Sequence, residues 1–368
     1  MRFSANDHRF MAEALRLAQR GRLTADPNPA VGCVIVAGDE PVGRGWHRSA
    51  GEPHAETLAL QQAGERARGS SVYVTLEPCS HQGRTPPCVE ALVDAGVAEV
   101  ITAMTDPDPR VSGAGHARLA RTGIRVRSGL MEAEARELNP GFISRNERGR
   151  PWVRVKLAVS VDGRTAGADG QSRWITSPSA RADVQYWRAR SSCILTGIGT
   201  VLADNPRLNL RLPGVERTLL RVVVDSAGRL PADARLFGLP GPVIVASLVP
   251  KPDPAVNAEW WQLPGSDQQV ELEELLRALG GRGVNSVQVE AGPTLSGALM
   301  AAGLVDELLI YQAACVIGPG RPMLTIPGME KFTQRLHLTA IESRRVGPDW
   351  RHRFRLIDQP SADACSPE

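Results

Sequence analysis

The chain has 368 residues, a length typical of two or three domains, and 42% of them are hydrophobic while 23% are charged. This is the balance of an ordinary globular protein, so wholesale disorder is excluded. The 43 basic and 40 acidic residues leave a formal charge of +3, and only 4% of the residues are aromatic. Both values argue against a nucleic-acid-binding surface, which needs concentrated positive charge and aromatic side chains.

No segment of the sequence has the features of an export signal or a membrane span. Charged residues interrupt every apolar stretch of residues 1–21, whereas a signal peptide needs an apolar core of roughly 7–15 residues. No run approaches the ~20 apolar residues that cross a bilayer. The six cysteines are too few and too scattered for a disulfide scaffold. We therefore expect a cytoplasmic protein whose cysteines stay reduced and are available to a metal or to catalysis.

The first part of the chain predicts helices alternating with strands. Asp7 is expected to cap an amphipathic helix that ends at Gly21. A proline-rich turn then leads into a hairpin of strands 31–37 and 42–46. The following predicted elements are helix 54–66, strand 72–76, helix 89–95, strand 99–104, helix 114–121 and strand 124–126. Such alternation is typical of a layered α/β domain with parallel strands.

A polar segment at residues 144–151 predicts the domain boundary, because linkers are exposed, polar and marked by Pro or Gly. We expect one domain over residues 1–147 and another over 148–360. The second is predicted to contain strand 152–161, helix 179–190, strands 193–197, 219–225 and 242–247, helix 272–279, strand 286–290, helix 294–302, strand 307–314 and a β-rich region ending near residue 357. This is again an α/β pattern, and residues from 358 onwards are expected to form a frayed tail.

The most informative constellation in the first domain is His54-Ala55-Glu56 followed by Pro78-Cys79 and Pro87-Cys88. This order matches the signature of zinc deaminases. Two thiolates and one imidazole leave the fourth tetrahedral position of a zinc ion open for water, whose pKa falls from ~9 towards ~7. Glu56 is not a ligand in this pattern and can carry protons to the ring nitrogen and the leaving amine. We predict His54, Cys79 and Cys88 as metal ligands and Glu56 as catalytic.

Two other interpretations of these residues remain open. The cysteines can be buried hydrophobic residues and His54 an ordinary residue at a helix start. Alternatively, His81 can complete a closed, structural zinc site, which needs a fourth protein ligand.

The loop from Thr75 to Cys88 resembles the zinc loop of the bifunctional riboflavin-biosynthesis deaminase/reductase family, including the eight residues between its two cysteines. Residues 24–33 and 105–109 also resemble that family, although Asp108 stands where the family often has Asn. The resemblance implies a cytidine-deaminase-like fold and places Asn28 against the pyrimidine. It places His81, Gly83 and Arg84 in the substrate pocket. Asn28 can equally be a turn residue in its proline-rich loop.

The second domain has no Gly-x-Gly-x-x-Gly motif after its first strand. Its best phosphate-binding candidate is the segment 289–299, where a strand ends, Gly292 allows close backbone approach and Pro293 begins a helix. A helix N-terminus offers unpaired N–H groups to the phosphates of a dinucleotide. An ordinary β–α turn punctuated by Gly and Pro is the alternative.

Residues 156–165, 172–177 and 199–206 resemble the reductase domain of the same family. The resemblance implies a dihydrofolate-reductase-like fold, NADPH as cofactor, and reduction of a ribosylamine to a ribitylamine by hydride transfer to C1′. The implied cofactor contacts are Ala158, Trp174, Thr200, Asp204, Ser226, Gly292, Pro293, Thr294, Leu295, Ser296, Gly297 and Ala298. The implied substrate contacts are Ser172, Arg188, Leu208, Arg211 and Glu290.

The chemistry of these residues is consistent with that assignment. Arg188 and Arg211 can bind a phosphate in bidentate fashion. Hydride transfer to an opened sugar needs an acid and a carboxylate, for which we select Lys156 and Asp204. Lys156 can instead be a surface residue at a strand end, and Asp204 can be a turn residue before Asn205-Pro206.

Together these observations predict an enzyme with two activities. One domain, with Zn²⁺, hydrolyses an amino group from 2,5-diamino-6-(5-phosphoribosylamino)pyrimidin-4-one, and the other reduces the ribosyl group of the product with NADPH. The expected partners are phosphoribosylated pyrimidines and further copies of the chain in a dimer or tetramer, with no nucleic acid and no membrane. The alternatives are a deaminase of free or nucleic-acid bases with an accessory domain, and a zinc-stabilised binding module without turnover.

Overall fold

The computed structural model describes residues 3–80 and 87–356. The chain divides into two compact units, Met1–Arg150 and Pro151–Glu368. The division falls slightly beyond the predicted one after residue 147, because the polar segment that suggested a linker begins inside helix Pro140–Arg148, which buries Ile143 and Ser144. The expected frayed tail lies outside the described residues. Among the described helices, none combines the length and apolar character needed to cross a membrane.

The first unit contains a five-stranded sheet in the order β2-β1-β3-β4-β5. Its strands are β1 Gly32–Ala37, β2 Glu40–Trp46, β3 Ser71–Val74, β4 Glu99–Thr102 and β5 Arg125–Ser128. Its helices are α1 Ala5–Ala18, α2 Ala55–Ala63, α3 Cys88–Asp94, α4 Ala114–Arg121, α5 Glu132–Leu138 and α6 Pro140–Arg148. The expected parallel pairing is found between β3, β4 and β5. The predicted hairpin is confirmed, because β1 runs antiparallel to β2. Only the pairing of β1 with β3, which is also antiparallel, departs from the expected parallel arrangement.

Successive side chains of strand β1 point to opposite faces of this sheet, because side chains along a strand alternate with a period of two. Val34 and Val36 pack with α1, α5 and α6 on one face. Cys33 and Ile35 pack with α2, α3 and α4 on the other face. The sheet is therefore covered on both sides, and the loops at its ends are the places left for a site.

Helix α1 begins one turn earlier than predicted. Ser4 is its N-cap, and Asp7 is the third residue of a capping box in which each side chain accepts the other residue's backbone N–H. Asp7 also accepts hydrogen bonds from Tyr73 and Arg127. It therefore ties the helix to the sheet rather than only starting it.

The second unit contains a nine-stranded sheet in the order β11-β10-β9-β8-β14-β6-β15-β18-β17. Of the other strands of this unit, β7 pairs with β16 and β12 with β13 in two separate two-stranded sheets. The strands of the unit are β6 Trp152–Ser160, β7 Arg164–Gly167, β8 Cys193–Gly197, β9 Leu220–Val224, β10 Val243–Ser247, β11 Glu259–Gln262, β12 Gly265–Ser266, β13 Gln269–Val270, β14 Ser286–Val289, β15 Glu307–Ala313, β16 Gly320–Pro322, β17 Leu338–Val346 and β18 Asp349–Leu356. Its helices are α7 Pro178–Ala189, α8 Ile198–Asp204, α9 Leu272–Gly281 and α10 Pro293–Ala301.

In the order of the sheet, the strands from β11 to β15 are parallel. Strand β18 runs antiparallel to β15, and β17 runs antiparallel to β18. The apolar residues of the parallel strands form one core with α9 and α10, while Leu309 and Tyr311 of β15 pack against α7 on the opposite face. Parallel strands bring their carboxyl ends to one edge of the sheet, where ligands of such folds bind.

The sequence analysis did not predict three of the helices described here, namely α5, α6 and α8.

Candidate active sites

Three elements of the first unit converge on the predicted metal ligands. His54 is the N-cap of α2, Cys79 follows β3, and Cys88 is the first residue of α3. Helix α2 can lie close to β2 because Gly45 has no side chain: a Cβ built there would be 2.1 Å from the carbonyl oxygen of Ala55. The packing of α2 on the sheet thus sets the position of His54.

The donor atoms of this cluster have the spacing of a zinc site. His54 Nδ1 lies 3.2 Å from Cys88 Sγ and 3.5 Å from Cys79 Sγ, and all three donors lie within 4.8 Å of one another. Tetrahedral coordination with Zn–N near 2.0–2.1 Å and Zn–S near 2.3 Å places such donors about 3.6 Å apart. The three residues therefore fit a zinc ion. No other group of three or more such ligands is found among residues 3–80 and 87–356.

The protonation states of the two thiols are shaped by their neighbours. The hydrogen bond from Cys88, together with that from His54, lowers the pKa of Cys79 to about 4 despite its burial. The backbone N–H of Cys88 also donates to Cys79 Sγ, at 3.4 Å. Interaction with Cys79 and burial raise the pKa of Cys88. Of the two thiols, Cys79 is therefore the one that loses its proton more readily.

Glu56 is placed beside the cluster without belonging to it. Its side chain is buried on the first turn of α2, within hydrogen-bonding reach of Cys88. Burial, reinforced by the negative charge of Cys79, raises the pKa of Glu56 to about 7. A carboxyl group poised near neutrality can both accept and return a proton.

Asn28 reaches the cluster through His47, a residue that the sequence analysis did not single out. Asn28 Nδ2 donates to His47 Nε2 at 3.0 Å, so Nδ1 of the same ring carries the proton and faces the carbonyl oxygen of Pro53 at 3.3 Å. The His47 ring packs edge-on against His54, with 5.3 Å between ring centres. Burial lowers the pKa of His47, which favours the neutral form of its ring.

Glu77 is a second functional candidate that sequence reasoning missed. Its fully buried carboxylate accepts the backbone N–H groups of Asp106, Gly113 and His116 at 2.9–3.1 Å. It therefore fastens the loop before α4 to the segment that carries Cys79. In the sequence, the one feature that could have pointed to Glu77 is its position directly before the Pro78-Cys79 pair.

The acidic loop 105–109 lies beside this anchor. Burial raises the pKa of Asp106 to about 7. Asp108 Oδ1 accepts the backbone and side-chain N–H groups of Arg110. The predicted substrate residues His81, Gly83 and Arg84 lie outside the described residues.

The reductase residues predicted in the second unit line one cavity of about 1090 Å³. It lies at the carboxyl ends of the parallel strands, bounded by Lys156 of β6, by α8 and by the start of α10. All the predicted residues of this unit line it except Ser296 and Gly297. Those two residues do not line the cavity because they lie on the far side of α10, and their assignment to the cofactor stays a prediction. Ser296 is fully buried, and a Cβ on Gly297 would be 1.7 Å from the carbonyl oxygen of Thr325.

A buried ion pair forms the polar centre of this cavity. Arg188 donates to both carboxylate oxygens of Glu290, each at 2.7 Å, and to the carbonyl oxygen of Asn209. Although burial works against the charged form, Arg188 lowers the pKa of Glu290 to about 2. The carboxylate is also held by Gln288, whose Nε2 donates to it at 2.7 Å.

Two polar side chains that the sequence analysis did not select orient Arg211. Gln185 accepts its backbone N–H at 2.9 Å, and Asn209 accepts its guanidinium at 2.6 Å. Arg211 thus faces the cavity in a fixed position next to Arg188.

Lys156 is not a surface residue at a strand end. It lies in the middle of β6 and lines the cavity, where burial lowers the pKa of its ammonium group while the charge of Glu290 opposes that shift. Asp204 is the last residue of α8 and is partly exposed. Its carbonyl and carboxylate oxygens accept from Arg173 at 2.7 and 3.5 Å. Trp174 also lines the cavity, with two thirds of its surface exposed.

Comparison with known proteins matches both units to families. Residues 4–104 match the model of the cytidine and deoxycytidylate deaminase zinc-binding region, and residues 151–351 match that of the RibD C-terminal domain. The chain is 48% identical over 362 residues to riboflavin biosynthesis protein RibD of Escherichia coli K12, covering 93% of this chain and 97% of that protein. The chain belongs to the RibD family. Haemophilus influenzae RibD is 43% identical, with 95% of this chain and 97% of that protein covered.

Solved structures of the family have the same fold along nearly the whole chain. RibD of Acinetobacter baumannii, form 1, is 41% identical with a TM-score of 0.89, covering 96% of this chain and 99% of that one. The Thermotoga maritima diaminohydroxyphosphoribosylaminopyrimidine deaminase/5-amino-6-(5-phosphoribosylamino)uracil reductase is 31% identical with a TM-score of 0.87 and the same coverage. These findings confirm the predicted pair of domains, one cytidine-deaminase-like and one dihydrofolate-reductase-like. They also confirm a bifunctional deaminase/reductase of riboflavin biosynthesis, with zinc and NADPH as its cofactors.

Proposed function

We propose that the first unit deaminates 2,5-diamino-6-(5-phosphoribosylamino)pyrimidin-4-one, with His54, Cys79 and Cys88 as zinc ligands. The observation that carries the proposal is the tetrahedral spacing of these donors beside the buried carboxyl of Glu56. When bound, zinc supplies a water molecule activated for attack at neutral pH. Asn28, held by His47, and the predicted residues His81, Gly83 and Arg84 are assigned to the substrate.

Glu56 carries the protons of this hydrolysis. It accepts a proton from the attacking water as the new C–O bond forms at the amidine carbon, and it passes that proton to the ring nitrogen. It then takes the proton of the new hydroxyl group and passes it to the exocyclic amine. The C–N bond breaks as the C=O bond forms, and ammonia leaves. A pKa near neutrality suits both directions of transfer, because neither protonation state is strongly favoured at pH 7.

The second unit is proposed to reduce the ribosyl group of the deaminated product. NADPH supplies the hydride for C1′. Lys156, whose proton is made easier to release by burial, protonates the ring oxygen as the C1′–O bond opens. The carboxylate of Glu290 stabilises the positive charge of the resulting iminium group. Asp204 is kept as the further candidate acid or carboxylate.

The remaining predicted contacts of this cavity are divided between two ligands. Ser172, Arg188, Leu208, Arg211 and Glu290 are assigned to the substrate, with Arg211 at its phosphate and Arg188 holding the carboxylate of Glu290 in position. The cofactor contacts are Ala158, Trp174, Thr200, Asp204, Ser226, Gly292, Pro293, Thr294, Leu295 and Ala298.

A single substitution in the full-length chain separates the two activities. Glu56→Gln keeps the size of the side chain but removes its ability to carry a proton, so deamination should fall at least ~10²-fold. NADPH oxidation with the deaminated substrate should stay unchanged in the same sample. Deaminase turnover at the unaltered rate would remove Glu56 from the mechanism.

The metal site has its own test. Cys79→Ala removes one ligand, so metal analysis should find little zinc in that variant. Cys193→Ala is the matched control, because Cys193 is a buried core cysteine of the other unit. Equal zinc content in the two variants would overturn the ligand set.

The proposal extends to domain limits, assembly and location. The deaminase is placed in residues 1–147 and the reductase in 148–360, consistent with the units Met1–Arg150 and Pro151–Glu368. We propose a cytoplasmic homo-oligomer, a dimer or tetramer, that binds phosphoribosylated pyrimidines. The exposed β17 at the end of the described nine-stranded sheet supports self-association, because sheet ends pair readily. Sedimentation velocity of the full-length chain measures the assembly state.

A further inference from the structure

A second cavity, of about 750 Å³, lies in the first unit, and none of its lining residues is assigned to either reaction. It is lined by residues of α1, α2 and β2, the end strand of the described five-stranded sheet. Trp46, the last residue of β2, packs on the α1 side of that sheet. The next residue, His47, packs against His54 instead. Because successive side chains of a strand point to opposite sides, this cavity is separate from the zinc ligands.

One pair of opposite charges in this cavity is already satisfied. Arg44 of β2 donates through Nε to Glu13 of α1 at 2.6 Å, and its backbone N–H donates to the side chain of Gln62 at 2.8 Å. Glu13 is the only carboxylate among the described residues that line the cavity. Its pairing with Arg44 leaves no negative charge for the other arginines of the cavity.

Three guanidinium groups in the cavity therefore lack a counter-charge. Arg16, Arg20 and Arg48 are exposed, and none of them forms an ion pair or a side-chain hydrogen bond within the part of the chain that the structure describes. Arg20 and Arg48 lie over the Trp46 ring, 4.8 and 5.0 Å from its centre. This cation–π contact orients the two planar groups without using their N–H donors. The donors are thus available to an anion, which a guanidinium group binds in bidentate fashion.

The size, charge and apolar surface of the cavity define the class of its ligand. Sites for small molecules occupy ~300–1,000 Å³. A phosphate group brings about −1.5 to −2 charges and three acceptor oxygens, whereas a carboxylate brings a single charge. Leu17, Trp46 and Leu58 also line the cavity and offer apolar surface to an organic group. We propose that this cavity binds a small phosphorylated organic molecule with at least two negative charges, such as a nucleoside diphosphate, outside both catalytic sites.

Fluorine NMR can observe binding at this cavity by itself. The separation is needed because the reductase cavity also has more guanidinium than carboxylate groups among its described lining residues, and it attracts the same anions. Trp46 is the only tryptophan in residues 1–150, and Trp174 lines the reductase cavity. The full-length chain labelled with 5-fluorotryptophan therefore carries a reporter at each place, and Trp46→Phe and Trp174→Phe assign the two resonances. The probes are ADP and inorganic pyrophosphate.

ADP should shift the Trp46 resonance saturably, and at a lower concentration than pyrophosphate, because it adds apolar contacts to the same type of charged group. Combining Arg20→Ala with Arg48→Ala should weaken the binding of ADP at Trp46 at least ~10-fold, as expected for the loss of a hydrogen bond between charged groups. The titration of the Trp174 resonance should stay unchanged in this double variant.

The matched control is Arg66→Ala, because Arg66 is an exposed arginine of the same unit that pairs with Glu40 and does not line the cavity. It should change neither titration. The proposal is overturned if ADP leaves the Trp46 resonance unchanged or binds there less tightly than pyrophosphate. Equal affinities of the double variant and the control for ADP at Trp46 would also overturn it, as would a response of Trp46 to an RNA oligonucleotide but to neither small anion.

Discussion

Replacing Glu77 by Gln should loosen the loop that leads into α4 while the shape of the side chain is preserved. One oxygen of Glu77 accepts the N–H groups of Asp106 and Gly113, and the other accepts that of His116. Glutamine retains one of these oxygens and turns an NH₂ group towards the remaining donors. One or two buried N–H groups then lose their acceptor, at a cost of ~1–3 kcal/mol each. We expect about 3 kcal/mol in total, or roughly a 150-fold change in the opening equilibrium.

Hydrogen–deuterium exchange with mass spectrometry measures this change directly. A peptide that covers residues 105–117 should lose about two orders of magnitude of protection in Glu77→Gln. Glu90→Gln is the control: Glu90 is partly exposed and pairs with Arg118 on the surface, where ion pairs contribute little to stability. Equal protection of this peptide in the two variants would refute the role of Glu77 as an anchor.

Three further perturbations probe other parts of the structure. Arg154 and Arg353 lower the pKa of Glu307 from 4.5 to about 2, although burial acts in the opposite direction. The ionised carboxylate therefore stabilises the folded state by about 3 kcal/mol above pH 4.5, and this contribution is lost as the pH falls towards 2. Glu307→Gln should flatten that acid-side decline in urea denaturation; an unchanged slope would contradict this. Gly45→Ala should displace the start of α2 and thereby reduce both the zinc content and the rate of deamination. Reductase activity in the same sample is the internal control, and a full zinc content would contradict the prediction. Lys156→Met should lower reductase kcat at least ~10²-fold with NADP⁺ binding retained; near-normal turnover would exclude it as the acid.

The metal site could be predicted from the sequence because its members are marked locally. A histidine two residues before a glutamate and two Pro-Cys pairs need no knowledge of distant contacts. Glu77 could not be found in that way. Its partners are backbone N–H groups 29, 36 and 39 residues further along the chain, and any residue type can supply a backbone N–H.

The errors in the fold prediction have local causes. Ser4 and Asp7 are both good N-cap residues, and only the reciprocal bonds of the capping box decide between them. The polar residues at the end of α6 hid a helix whose buried face is short. In α10, Thr294, Leu295 and Ala298 face the cavity while Ser296 and Gly297 face away. An element with a period of 3.6 turns only part of a continuous run of residues towards the cavity.

The surplus of guanidinium groups in the reductase cavity has a practical consequence for kinetic work. Such a cavity attracts small multivalent anions from the medium, and added salt screens that attraction. Phosphate and sulfate in an assay buffer would compete with the phosphate groups of NADPH and of the substrate, and would raise the apparent KM for each of these two ligands. Michaelis constants measured in organic zwitterionic buffers at low ionic strength should therefore be lower than those measured in phosphate.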